Sequence, residues 1–66
     1  MFKIQYRNPQ GRMVTAQSFK RAEIQRLADK ARQEMPETHE LRVREVAVDE
    51  ASGDFIWADC TADFTR

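Results

Sequence analysis

The sequence predicts an α+β fold, ββαββ: a four-stranded antiparallel sheet in the order 2-1-3-4 with one helix packed on one face. Three observations carry this. One stretch, Lys20 to Met35 (KRAEIQRLADKARQEM), repeats apolar residues at helical spacing. A period-two segment precedes a turn with hairpin chemistry, Asn8-Pro9-Gln10-Gly11. Two further apolar segments after the helix flank an acidic turn. At 66 residues the chain makes a single domain, 1–66, with a thin core.

Phe2-Lys3-Ile4-Gln5-Tyr6-Arg7 alternates apolar and polar side chains, the pattern of a half-buried strand with Phe2, Ile4 and Tyr6 inward. Asn, Pro and Gly at the first, second and fourth positions of the next four residues suit a type I turn followed by a left-handed Gly bulge. That turn fixes a register in which Tyr6 faces Val14, Ile4 faces Ala16 and Phe2 faces Ser18. The alternation of the second strand agrees with it. The other face of the hairpin then carries Lys3, Gln5, Arg7, Met13, Thr15 and Gln17, and is polar and basic.

Ser18 is the natural N-cap of the helix, because its hydroxyl can accept a free N–H of the first turn. Phe19 is expected to anchor the start of the helix in the core. Ile24, Leu27, Ala28, Ala31 and Met35 form the buried stripe. A fully buried Leu27 would lose about 2–5 kcal/mol on truncation to Ala. On the outer side Asp29 can pair with Arg26 or Arg32, and Lys30 with Glu34. Lys20 and Arg21 stand in the first turn and Glu34 in the last, each against the helix dipole. Met35-Pro36 ends the helix, since proline lacks the N–H donor and disfavours helical geometry before it.

A short polar loop, 36–40, leads to the third strand, Leu41 to Val48. Its phase slips: Leu41 and Val43 share one face, Val46 and Val48 the other. Either a bulge near Arg44-Glu45 brings them together or both faces are partly apolar. Asp49 to Asp54 is an acidic turn, and Phe55 to Cys60 the fourth strand, apolar on both faces. Thr61 to Arg66 is a polar tail with one hydrophobe, Phe64, expected to pack or to form a short further strand. The open face of the sheet would carry Met13 and some of the valines. Trp57 belongs either there or in the core.

Composition narrows the function classes. No apolar run approaches the roughly 20 residues of a membrane span, and Met1-Phe2-Lys3 does not open a signal peptide, so no membrane partner is expected. Cys60 is the only cysteine, which fits a cytoplasmic setting. The net charge is zero but segregated. Residues 1–33 hold eight bases and two acids, a net of +6, and residues 34–66 three bases and nine acids, a net of −6. The two halves can neutralise each other within the fold or leave a basic patch for an anionic partner.

Chemistry-bearing residues are few. His39 and Cys60 are single, with no third orienting group at a recognisable spacing. His39 with Glu37 and Glu40 is no known metal-ligand pattern, and Gly11 and Gly53 are both accounted for by turns. The chain is therefore expected to be non-enzymatic, without cofactor or metal. Nucleic-acid binding would use Lys3, Arg7, Arg12, Lys20 and Arg21, with Tyr6 or Trp57 stacking on bases. Protein binding would use the open face, an edge strand and Trp57 with the arginines as anchors. The partner-binding residues expected from both lines are Arg7, Arg12, Lys20, Arg21 and Trp57. An edge strand can also pair with its own copy to form a homodimer.

An opening hairpin (FKIQYRNPQGRMVTAQ), an amphipathic helix behind a serine (SFKRAEIQRLADKAR) and a closing acidic hairpin with an aromatic strand (EVAVDEASGDFIWADC) together span most of the chain. In this layout the chain resembles small proteins of phages and mobile elements of the anti-CRISPR type. The resemblance implies a cytoplasmic inhibitor that binds a large host protein or nucleoprotein complex and blocks it without catalysis. Its basic residues would then compete for, or mimic contacts with, a nucleic-acid-handling surface. The alternatives are a small nucleic-acid-binding module and a housekeeping interaction domain.

Overall fold

A computed structural model describes residues 1–34 and 40–65. The elements are β1 (Phe2–Arg7), β2 (Met13–Ser18), α1 (Arg21–Glu34), β3 (Arg42–Val48), β4 (Phe55–Asp59) and α2 (Thr61–Phe64). The sheet is antiparallel throughout in the order β2-β1-β3-β4. Met35, Pro36 and the loop residues as far as His39 lie outside the described residues, as does Arg66.

The β1–β2 hairpin has the register its turn chemistry demands: Tyr6 opposite Val14, Ile4 opposite Ala16, Phe2 opposite Ser18. Asn8 closes the turn with three bonds. Its N–H donates to the Arg12 carbonyl at 2.9 Å, and its own carbonyl accepts the Gly11 N–H at 2.9 Å. Its side-chain oxygen accepts the Arg12 N–H at 2.9 Å. Gly11 takes φ +82°, a region that costs a residue with a Cβ but not glycine.

Between β2 and α1 the chain departs from expectation. The Ser18 hydroxyl accepts the Lys20 N–H at 3.0 Å and donates to the Glu23 carboxylate at 2.7 Å. Ser18 thus stabilises the approach to the helix, two residues before the N-cap position, where Lys20 stands and supplies the first carbonyl to Glu23 and Ile24. The tight turn swings Phe19 outward. It is 79% exposed and not a core anchor. Glu23 in the first turn and Arg32 in the last suit the helix dipole and offset the misplaced charges. Asp29 accepts a hydrogen bond from Gln25 at 3.0 Å in place of the helix pairs expected, and Arg7 and Glu40 form an ion pair.

The core is Ile4, Tyr6, Ile24, Ala28, Ala31, Leu41, Val43 and Phe64, with Phe2, Val14, Ala16, Leu27 and Cys60 partly buried against it. α1 packs on β1 and β2, while α2 packs on β3 and α1. The tail is therefore neither a strand nor loose. Phe64 is fully buried, edge-on to Phe2 with ring centroids 5.6 Å apart. Leu27 is only half-buried, so the large loss expected on its truncation shifts to Ile24.

Thr61 stitches α2 to the sheet. Its hydroxyl accepts the Val43 N–H at 2.9 Å, and the Cys60 N–H donates to the Val43 carbonyl at 2.8 Å. Asp59 Oδ1 accepts both the Thr61 N–H at 2.8 Å and the Thr61 hydroxyl at 2.6 Å. The Thr61 hydroxyl bond first, and then the Thr61 N–H, hold the Asp59 carboxyl below the ordinary carboxylate range, with Arg42 and Arg44 assisting. A carboxylate with a depressed pKa stabilises the fold above the usual carboxylate range, and that contribution disappears as pH falls through its folded-state value.

Candidate functional site

β3 pairs with both neighbours in unbroken register, Phe2 with Glu45 on one side and Ala58 with Glu45 on the other, so no bulge corrects its phase. Side chains alternate between faces. Val43, Glu45 and Ala47 therefore lie on the helix side with Ile56 and Ala58. Arg44, Val46 and Val48 lie on the open side with Phe55, Trp57 and Asp59. Both faces of the outer β3–β4 hairpin are apolar.

The two helices do not cover this hairpin. The molecule is long and narrow, 39 × 21 × 19 Å, and the far hairpin runs past the layer formed by α1 and α2. Val48 is 56% exposed, Phe55 79%, Ile56 44% and Trp57 41%. Trp57 is thus on the open face and not under a helix, opposite Val46. The Lys3 ammonium stands 5.8 Å from its ring, at the outer reach of a cation–π contact. At the tip, the Asp49 N–H donates to the Asp54 carbonyl at 2.8 Å and the Asp49 carbonyl accepts the Gly53 N–H at 2.7 Å. With Glu50 the turn carries three acids.

The remaining residues expected to bind a partner fall into two separate groups. Arg7 and Arg12 lie at the Asn8 turn, where Arg7 Nε donates to Glu40 at 2.6 Å and Arg7 Nη1 to the Gly11 carbonyl at 2.8 Å. Lys20 and Arg21 lie at the other end of β1, roughly 17 Å along the strand. Arg21 has a structural task that its position against the dipole concealed. Its guanidinium covers the Phe64 ring at 4.6 Å and donates to the Asp63 carbonyl at 3.4 Å. Arg7 and Arg12 therefore do not share a patch with Lys20 and Arg21, while Lys3 stands opposite Arg44 on the open face. Trp57 gains instead two neighbours on its own face that were not singled out, Val48 and Phe55, with Ile56 exposed on the other face. The signal for them was the two-sided apolar pattern of the fourth strand.

Beside α2 an open concavity of about 570 Å³ is lined by Asp59, Cys60, Thr61, Ala62, Asp63 and Thr65. Burial pushes the Cys60 thiol above its ordinary range, and Glu45, Asp63 and Asp59 push it further, against the opposing effect of Arg21. Such a thiol stays protonated at neutral pH and is a poor nucleophile. His39, the other half of the dyad weighed from sequence, lies outside the described residues. Among the described residues no group of three or more His, Cys, Asp or Glu could hold a metal ion, and no helix is long and apolar enough to cross a membrane.

The thiol gives a direct check. Alkylation of Cys60 by iodoacetamide in the native protein should lag behind that in the urea-unfolded chain, and should accelerate only at a higher pH. Because the folded-state pKa is raised, the associated stability is intact below the unfolded-state value and is lost as pH rises through the folded one. Equal native and unfolded profiles would contradict this placement of the side chain.

Comparison of the chain with family models, with curated proteins and with solved structures returns no match.

Proposed function

We propose that this protein is a non-enzymatic interaction module that docks on a protein or nucleoprotein partner in the cytoplasm through the outer β3–β4 hairpin. The carrying observation is the exposure of Val48, Phe55 and Trp57 together on the open face of the outer hairpin, with Ile56 exposed on the other face of its edge strand. A monomer of this size gains nothing from leaving four large apolar side chains in water, and contiguous patches of this kind mark interaction surfaces. Trp is a favoured interface anchor, and Lys3 and Arg44 can supply a charged rim. Lys3, Arg42 and Arg44 share the open face with Trp57, so nucleic-acid binding is the alternative, separated from protein binding by a steep fall of affinity with salt. The resemblance to anti-CRISPR-type proteins makes a large nucleic-acid-handling complex of the host the first partner to test, with inhibition as the expected consequence.

Capture experiments with the wild-type chain and with Phe55→Asp decide the matter. Phe55 is so exposed that the variant should keep its circular dichroism spectrum and its melting temperature. Wild-type protein should retain a partner that Phe55→Asp loses. Identical capture by both proteins would overturn the assignment of the docking surface, as would capture by neither when the wild-type protein is monomeric.

A further inference from the structure

We infer that the occupant of the β4 edge is a second copy of this chain, joined antiparallel about a two-fold axis through Ile56. This rests on the reading of the outer hairpin as an interface and names its partner. β4 pairs on its inner side with β3 and is the last strand of the sheet, so its outer backbone donors and acceptors point away from the molecule. α2 turns back over β3 and α1 and leaves that edge clear. Edge strands are commonly protected by lysine, proline or an inward charge. Phe55-Ile56-Trp57-Ala58 has none of these. The opposite edge, β2, differs in having one face covered by α1, and it shows polar Thr15 and Gln17 on the other.

The sequence of the strand is its own complement. With the axis at Ile56, Ile56 meets the partner's Ile56 on the helix side. On the open side Phe55 meets the partner's Trp57, and Trp57 meets the partner's Phe55. Every large apolar side chain of β4 gains an apolar neighbour directly opposite, the pairing that stabilises antiparallel strands most. The strand's one charge, Asp59, falls opposite the partner's Gly53 and keeps Arg44 beside it, so no like charges are set directly against each other. An axis at Trp57 would instead set Phe55 against the partner's Asp59. The pairing doubles the four-stranded sheet into one continuous sheet, an isologous contact of the commonest oligomeric kind.

The area points to a contact at the weak end of the range. At roughly 150–250 Å² for each large side chain, the four residues expose on the order of 400 Å² of apolar surface. A stable interface needs about 800 Å² per partner, and the flanking backbone supplies only part of the difference. The dimer should therefore be weak and reversible.

Sedimentation equilibrium tests this, with the emission of Trp57, the only tryptophan, as a second readout. The wild-type protein should pass from monomer to dimer as its concentration rises, with a blue shift of Trp57 emission. Ile56→Lys and Ile56→Glu each place two like charges on the axis, and each alone should be monomeric. An equimolar mixture of the two should associate again, because lysine then faces glutamate. Ile56 is half exposed at an edge, and unchanged circular dichroism of both variants establishes that they fold. A wild-type chain that stays monomeric up to about millimolar concentration, where even weak complexes form, would overturn the inference. So would variants that still dimerise alone, or a mixture that stays monomeric. A monomeric wild type that still captures another protein through Phe55 would leave the interaction-module reading standing. A monomer that captures nothing would remove both.

Discussion

Phe64→Ala is expected to remove a large part of the protein's stability at 25 °C. Removal of a buried phenylalanine costs about 3–5 kcal/mol, because the transfer energy of the ring is lost and the cavity closes only in part. A 66-residue domain has a total stability of roughly 3–10 kcal/mol at ordinary values per residue. Phe64 is the largest fully buried side chain and joins two layers. Its ring stands edge-on to Phe2 of β1 and beneath Arg21 of α1, while its carbonyl accepts the Gln25 amide at 2.9 Å. Phe64→Leu keeps most of the apolar volume and loses the ring contacts, about 0.5–1.5 kcal/mol for the aromatic pair and roughly 0.5–1 for the cation. The urea midpoint should therefore fall in the order wild type, Leu, Ala, with Trp57 emission and circular dichroism giving the same transition. An unchanged midpoint for Phe64→Ala would mean that α2 frays independently of the core.

Local rules made the first hairpin and the helix legible. Asn8, Pro9 and Gly11 specify a turn by their own backbone preferences, and the register follows without any distant contact. Ile24, Ala28 and Ala31 repeat at helical spacing and are buried as that spacing requires. The order of the strands also followed, from hairpin adjacency and the return of the chain through α1. What was not legible depended on competition between side chains far apart in the chain. Phe19 and Phe64 are each a lone aromatic residue in a polar context, and nothing local says which of them fills the slot beside Phe2. The slot goes to Phe64 because Ser18 turns Phe19 outward and the bonds of Asp59 and Thr61 fold the tail inward. Asp59, with Thr61 two residues on, was the one local hint, since an Asp side chain readily accepts the N–H of the second residue after it.

The same competition decides which helix residue carries α1. Ile24→Ala should cost about 2–5 kcal/mol, as for a buried aliphatic side chain, and Leu27→Ala less, about 1–2 kcal/mol for a side chain that gives up only part of its burial. Ile24 has no exposed surface, and the other fully covered positions of α1, Ala28 and Ala31, are too small to move into the space its truncation would leave. They also let the helix sit close to β1 and β2, so a shift of α1 to close the cavity would strain contacts already tight. Leu27 stands three residues on, roughly 60° around the helix from Ile24 at 100° per residue, where the stripe meets solvent. Urea unfolding of the two variants separates the cases, provided both keep the wild-type slope with denaturant. Equal losses would require α1 to be rolled toward Leu27. Ala28 would then be less covered, and Ala28→Ser would cost little; with α1 seated on Ile24, the same hydroxyl is taken out of water with only the Ile24 carbonyl one turn back to accept it, and should cost about 1–3 kcal/mol.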